Sequence, residues 1–549
     1  MNLQLPKDIR WHAEPELCAL LGAESEAIGK AIASGRATII KQGRFRTVYG
    51  VHLPNIELYV KHCRPVGWRA WLRECFRPAK AILEFRKLQA AADNGVPTAK
   101  ALGFAKRNRF LPGESVLITR SIPNAVPCGH YFVETMSQLP KTERTRQRQI
   151  LAKSLGRFLA DLHGASVVHP DLHPDNLLLT WHDDVPAFHL LDLHDVHTGK
   201  PCGIRESLRN LAIFNRWFVL RATRSDRLRF WKAYVGRRRE LDASDWPNEA
   251  CRELENFTHA SNFRLWRSWM NRCFGNNRRF VRLQDRRIRG HALREVPMDE
   301  LRPLLADSDA PFGRRPLLKN SRSSSVTELP LPSPLVGEGR GGGTVGHFTP
   351  TLTLPHQGEA ESFDGGCRIH APPTLPNNAV YKCFRIGGVR DVLTNLFRRS
   401  ACLRSWQNGH AFVACLLPTA RPLAVWHRHR FGLPGEGYLL TEQIAHAEDL
   451  HQFLQRVESC PESEQRLVLR QVIDALGRQI RLLHERAWAH RDLKATNILI
   501  QRTSSPLSHS VGEGPGVREK IWFIDLVGAW RPWRLRESRR QKDLSRLNA

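Results

Sequence analysis

Several features are missing from this sequence, and each absence narrows what the chain does. No apolar run approaches the roughly 20 residues needed to span a bilayer. The most apolar stretch, AFVACLLPTARPLAVW (411–426), carries an arginine and two prolines. The N-terminal MNLQLPKDIRWHAEPELCALL lacks the basic-then-apolar order of a secretory signal. The 12 cysteines include no CxxC pair and no short regular spacing, which excludes zinc-finger and disulfide-scaffold readings and predicts reduced thiols. Acidic charge is scarce: 54 Asp and Glu stand against 83 Lys and Arg, a formal charge of +29. Such a field favours anionic partners, whether nucleic acid, phospholipid headgroups or a phosphorylated substrate.

What is present is a repeat. With 549 residues the chain is too long for one ordinary core. A shift of 321 positions places Lys61 on Lys382, Gly67 on Gly388 and PTAKAL (97–102) on PTARPL (418–423). The same shift places Gly156 on Gly477, His163 on His484, and HPDLHPDNLLL (169–179) on HRDLKATNILI (490–500). Beyond these the shift becomes 333, matching LLDL (190–193) to FIDL (523–526) and RNLAIFN (209–215) to KDLSRLN (542–548). Matches this widely spread indicate a duplicated domain.

The change of shift falls at SSPLSHSVGEGPGVRE (504–519), between two apolar β-rich runs where a hairpin tip would absorb it. A related string, PSPLVGEGRGGG (332–343), lies in a Pro/Gly/Ser-rich stretch between the copies. The expected organisation is a first domain over 1–300, a linker over 301–372 and a second domain over 373–549. Gly337, Gly339 and Gly342 spell GxGxxG, but prolines flank them and no lysine follows for forty residues. They are read as linker and not as a phosphate loop.

Both copies carry HxDxxxxN before an apolar strand, then an Asp at the end of another. These are His169, Asp171, Asn176 and Asp192, and again His490, Asp492, Asn497 and Asp525. Phosphoryl transfer needs this set: one carboxylate orients the acceptor hydroxyl and takes its proton, while an Asn and a second carboxylate hold Mg²⁺. Lys61 follows a β-rich segment, and Glu84 lies 23 residues on, in a stretch with helical spacing at Ile82, Phe85 and Leu88. A lysine on the ATP phosphates braced by a helix glutamate fits that placement.

Taken with GRFRTVYGV, YVKH, GVPTAKALGF, VVHPDLHPDNLLL, LLDLHDV, RNL and DRLRFWKAY, these residues resemble the protein-kinase-like superfamily. More narrowly they resemble the lipopolysaccharide kinase (Kdo/WaaP-type) family, well over 40–240 and partially over 375–549. The resemblance implies an α+β fold with two tandem bilobal domains, each a β-rich upper lobe on a helical lower lobe, the second incomplete. It implies an ATP- and Mg²⁺-dependent kinase acting on a glycolipid sugar, cytoplasmic and peripheral at the inner membrane face. Asp171 would be the base, Asn176 and Asp192 the metal ligands, Lys61 the phosphate contact, Glu84 its brace, and Gly43 part of the nucleotide cover.

Independently, a helix-like pattern resumes about a dozen residues after Asp192, and no APE-type motif appears. That leaves no room for a peptide-binding activation segment and favours a glycolipid or sugar acceptor over a protein. The basic, Trp-rich 264–290 is a candidate for an anionic lipid surface, with a plain cationic surface or RNA contact as the alternative; no specific nucleic acid is predicted. A metal-hydrolase cluster of His169, Asp171, His173, Asp192 and His194 is disfavoured, because the second copy has Lys494 and Val527 where two ligands would stand.

The second copy departs from the pattern. Glu84 aligns with Ser405, and the strands ahead of Lys382 would come from the Pro-rich ESFDGGCRIHAPPTLPNNAV (361–380). Nothing corresponds to the helices of 217–300. Lys382, Asp492, Asn497 and Asp525 are therefore expected to form a weak or inactive site. The competing readings are a protein Ser/Thr kinase and a non-catalytic scaffold of two pseudokinases.

Overall fold

The computed structural model describes residues 9–21, 28–43, 45–107, 112–193, 202–242, 245–330, 378–388, 398–430, 433–503 and 518–547, with isolated positions 3, 5, 196 and 199. These form two compact units, one ending at Asn262 and the other beginning at Phe263.

In the first unit the chain runs β1 (Arg10–Ala13), α1 (Pro15–Leu21), α2 (Ile28–Ser34), β2 (Arg36–Gln42), β3 (Arg46–Leu53) and β4 (Ile56–Cys63). It continues through α3 (Trp68–Phe76), α4 (Lys80–Asp93), β5 (Ala101–Lys106) and β6 (Ser115–Arg120). The strands make an antiparallel sheet in the order β1-β5-β6-β4-β3-β2. Alternation along β4 divides its side chains between two faces. Leu58 and Val60 join Leu17, Ile28 and Ile32 in one core, and Lys61 points to the other face.

Below the sheet come β7 (Val126–Pro127), α5 (Cys128–His130), α6 (Lys141–Gly164), β8 (Leu177–His182) and β9 (Val185–Leu190). Then follow α7 (Ile204–Phe218), α8 (Arg224–Asp242) and α9 (Ala250–Arg272). Leu151, Leu155, Leu159 and Leu162 recur at helical spacing on α6 and are buried in the main core. Alpha8 lies along α6, and Gly156 is the reason it comes so close. A Cβ on Gly156 would stand 2.5 Å from the Phe230 carbonyl oxygen and 3.0 Å from the Tyr234 nitrogen, both on α8.

The second unit takes the C-terminal end of α9. It adds β10 (Phe280–Gln284), β11 (Ile288–Leu293), α10 (Met298–Ala306), α11 (Ala310–Arg314), β12 (Leu317–Asn320), β13 (Ser324–Pro330) and β14 (Asn378–Phe384). After α12 (Ala401–Ala414) come β15 (Pro422–Arg430), β16 (Leu433–Glu442), β17 (Ala447–Asp449), α13 (Leu450–Glu458) and α14 (Glu462–Glu485). Beta18 (Ile498–Thr503), β19 (Arg518–Phe523) and α15 (Glu537–Leu547) end the described chain. Its large sheet has the order β10-β11-β15-β16-β14-β13-β12.

The repeat seen in the sequence recurs as local geometry. In the first unit Thr98 Oγ1 donates to the Leu190 carbonyl (2.9 Å), and the Leu190 N–H donates to the Pro97 carbonyl (2.9 Å). In the second, Thr419 Oγ1 donates to the Phe523 carbonyl (2.7 Å), and the Phe523 N–H to that of Pro418 (3.0 Å).

Three expectations need correction. The division falls between 262 and 263 and not near 300, because 273–330 supplies strands to the second sheet. The partner of β14 is β13, with Val326 opposite Lys382, just as Val48 stands opposite Lys61. The interposed 331–377, including the GxGxxG string and most of 361–380, lies outside the described residues, so hairpin partners that are neighbours in the first unit are far apart in sequence in the second. Third, the Trp-rich 264–290 does not present a free aromatic surface. Arg531 stacks 3.6 Å from the Trp266 ring centroid, Met270 packs on the second unit's lower core, and Phe280 and Leu283 are buried in its upper one. Beta18 and β19 pair from Ile498–Phe523 to Thr503–Arg518, and most of the other inserted string, 504–517, lies outside the described residues.

Gly156 and Gly477 align in sequence but differ in surroundings, since a Cβ on Gly477 would meet nothing within 4 Å. Gly156→Ala is therefore expected to destabilise the first unit by about 2–3 kcal/mol through overpacking. Gly477→Ala should stabilise the second by about 0.5–1 kcal/mol through helix propensity. Urea titration, following each unit's transition, measures both.

Candidate active site

In the first unit a cleft with about 930 Å³ of empty space, open solvent included, lies between the sheet and the β7–β9 layer. Its apolar walls include Val48, Ala99, Leu178 and Leu191, and its polar lining includes Lys61, Arg46, Asn176 and Asp192. Beta4 delivers Lys61 from above. Helix α4 buries Ala81, Phe85, Leu88 and Ala91 against the core, which turns Glu84 inward to an ion pair with Lys61.

Arg46 is the polar residue that sequence reading missed. It sits on β3 two positions from Val48, on the face shared with Lys61. Its guanidinium lies 3.3 Å from Asp192 Oδ1 and 3.9 Å from Glu84 Oε1. Burial would discharge both Arg46 and Glu84. The neighbouring opposite charges outweigh it, so Arg46 is held charged and Glu84 lies below the usual carboxylate range. The signal for Arg46 exists only once the strand register is known. Gly43 behaves differently from expectation: its N–H is taken by the Arg46 carbonyl (2.9 Å) in the β2–β3 turn, and Gly43 is not among the residues lining the cleft. Lys41 and Arg46, on either side of it, are.

The catalytic-type loop is held from inside. Buried His169 donates from Nε2 to the Leu191 carbonyl (3.1 Å), and its Nδ1 accepts the Asp171 N–H (3.2 Å). Asn176 Nδ2 donates to the Asp171 carbonyl (2.9 Å), leaving its amide oxygen available to a cation. Asp192 has φ 59°, in the left-handed region, which sets where its carboxylate lies. The Asp171 carboxylate has no hydrogen-bond partner among the described residues. His173 is turned to Asp175, whose N–H its Nδ1 accepts (3.2 Å), and burial lowers its pKa. His194 lies outside the described residues.

A second chain of contacts fixes this loop to the helices. Tyr234 O–H pairs with His163 Nδ1 (2.7 Å), His163 Nε2 donates to Asn210 Oδ1 (3.0 Å), and Asn210 Nδ2 donates to the His169 carbonyl (2.7 Å). A neutral imidazole satisfies the chain, and burial pushes the His163 pKa down to about 4. The folded value lies below the unfolded one of about 6.5, so its stabilisation is full above pH 6.5 and is lost as pH falls to 4. The first unit should lose about 3 kcal/mol over that interval. Denaturant unfolding across pH 4–7 reads the loss, and His163→Gln should flatten the slope.

The second unit has the same loop with different electrostatics. His490 Nε2 donates to the Ile524 carbonyl (3.0 Å), and Asn497 Nδ2 to the Asp492 carbonyl (2.9 Å). Here Asn497 also donates to the Asp492 carboxylate (2.9 Å), and Lys494 lies 3.5 Å from it. Ser405 and Ser324 stand at the positions of Glu84 and Arg46, both buried. Lys382 therefore turns to Asp525 directly, at 3.0 Å. Two cations and two carboxylates have become one of each. Asp543, at the position of Asn210, accepts the N–H groups of His490 and Arg491, both at 3.0 Å.

A mixed α+β architecture with a lysine–glutamate pair above an HxDxxxxN loop is kinase-like. The chain belongs to the Lipopolysaccharide kinase (Kdo/WaaP) family, whose model matches residues 39–234 and 386–549. It is 28% identical over 142 residues to 3-deoxy-D-manno-octulosonic acid kinase of Haemophilus influenzae, covering 24% of this chain and 50% of that protein. It is 32% identical over 100 residues to serine/threonine-protein kinase pim-2 of Danio rerio, covering 18% of this chain and 31% of that protein. The chain thus spans half or less of the length of the curated relatives it matches. Among solved structures, WaaP in complex with acyl carrier protein aligns with TM-score 0.35 and 20% identity, over 47% of this chain and 99% of that one. The maize SIRK1 kinase domain bound to AMP-PNP aligns with TM-score 0.22 and 19% identity, over 33% of this chain and 58% of that one.

Proposed function

We propose that the chain is an ATP- and Mg²⁺-dependent phosphotransferase that uses the first unit's cleft and phosphorylates a hydroxyl of a glycolipid sugar. The observation that carries this reading is the gathering of Lys61–Glu84, Arg46, Asn176 and Asp192 around one apolar-walled cleft. Lys61 and Arg46 bring positive charge for a polyphosphate, and the apolar walls suit a base. Asn176 and Asp192 form an oxygen donor set suited to Mg²⁺; the ion, when bound, neutralises phosphate oxygens. Asp171 orients the acceptor hydroxyl and takes its proton as the bond from the γ-phosphorus to the acceptor oxygen forms and the bond to the β,γ-bridging oxygen breaks.

Two further points favour a sugar acceptor. Helix α7 begins at Ile204, twelve residues after Asp192, which is short for a peptide-binding segment. The family and its Haemophilus influenzae relative carry sugar-kinase names. The second unit is read as a duplicated bilobal domain without catalytic activity, its lysine and metal-type aspartate joined to each other. The whole chain would act peripherally at the inner membrane face, and no helix among the described residues is long and apolar enough to cross a membrane.

The test is an acceptor screen with γ-labelled ATP and Mg²⁺. Label is expected on lipid A–core saccharides. Label on proteins and none on saccharides would make this a protein kinase, and no transfer at all would leave a scaffold.

A further inference from the structure

The described surface of the first unit contains an aromatic helix that none of the residues above explains. Helix α3 exposes Trp68 (70%), Trp71 (48%), Leu72 (45%) and Phe76 (83%). At 100° per residue these fall within an arc of about 140°, a single apolar stripe. Single exposed apolar side chains are ordinary, but four large ones in one stripe are not. The helix sits between β4 and α4, on the chain that joins Lys61 to Glu84.

We propose that α3 is an interfacial anchor whose stripe enters the headgroup region of an anionic bilayer. Three observations select lipid over other occupants. The stripe is rich in tryptophan, whose amphipathic ring favours the water–hydrocarbon boundary. Arginines recur at 69, 73 and 77, every fourth residue, and the whole chain carries +29, complementary to anionic headgroups. The stripe also lies on one short helix, Trp68–Phe76, which suits it to lying in a surface. Docked this way, α3 would hold the cleft beside the bilayer, where a glycolipid acceptor presents its sugar.

The experiment is sedimentation of the full chain with vesicles of phosphatidylglycerol and phosphatidylcholine, and with phosphatidylcholine alone, in the absence of nucleotide. Because no turnover is measured, failure here is distinct from failure of the kinase reading. The chain is expected to pellet with the anionic vesicles and to show a blue shift of tryptophan emission. Trp68→Ser/Trp71→Ser/Phe76→Ser should weaken partitioning at least about tenfold with unchanged circular dichroism. Arg69→Glu/Arg73→Glu/Arg77→Glu should abolish the preference for anionic lipid. No binding to either vesicle, or equal binding by the aromatic triple variant, overturns the proposal. Capture of an acidic protein with no vesicle binding overturns it as well.

Discussion

Asp171→Asn is expected to lower phosphoryl transfer by roughly 10³-fold while leaving the fold and nucleotide binding in place. Asp492→Asn is expected to leave transfer unchanged. Both residues occupy the same place in HxDxxxxN, so the asymmetry has to come from their surroundings. A base must have a carboxylate able to meet the acceptor hydroxyl. The Asp171 carboxylate has no partner among the described residues, whereas that of Asp492 accepts from Asn497 and lies 3.5 Å from Lys494. Asp192 lines the cleft with Asn176, but Asp525 is tied to Lys382. Single-turnover transfer with each variant, alongside nucleotide binding by calorimetry, separates chemistry from affinity. Activity surviving Asp171→Asn would remove the base assignment, and loss through Asp492→Asn would move the site to the second unit.

The next largest effect is expected from Glu84. Removing its carboxylate by Glu84→Ala leaves Lys61 and Arg46 buried with only Asp192 between them, and breaking one member of a buried ion cluster costs about 3–5 kcal/mol. Transfer should fall roughly 10²-fold as well, because Lys61 loses its brace. The pH dependence follows from the lowered pKa of Glu84: its stabilisation is present above the unfolded carboxylate value and is lost as pH falls through the folded one. Lys61→Met/Glu84→Leu distinguishes the two roles. Replacing both partners by apolar residues should recover most of the stability and none of the activity. Denaturant titration and transfer assays on the two variants measure the difference.

Much of the first unit's site was legible in sequence because phosphoryl transfer restricts residue types at short spacings. Asp171 and Asn176 are five apart on one loop, and Asp192 ends the next hairpin. Lys61 and Glu84 were legible through the periods of a strand and a helix. Arg46 was not, because an arginine in a strand reads as solvent-facing until its register against β4 is known. The exposure of α3 was hidden for a similar reason: Trp68, Trp71, Leu72 and Phe76 have the spacing of a buried stripe, and only the folded structure shows them exposed. The Trp-rich 264–290 was the reverse case, a stretch that looked like surface but packs Trp266, Met270, Phe280 and Leu283 against the second unit's cores.

The sequence by itself determined the repeat, the two HxDxxxxN loops and the replacement of Glu84 by Ser405 in the second copy, since these depend on residue identity at fixed offsets. Tertiary structure decided where one unit ends and the other begins, because that depends on which strands pair. It also decided the two charge networks. Lys61 and Lys382 align, as do Asp192 and Asp525, yet whether lysine meets glutamate or aspartate depends on Glu84 and Arg46 becoming Ser405 and Ser324. Away from bulk water each lysine pairs with the opposite charge that remains within reach: buried Glu84 in the first unit, part-buried Asp525 in the second.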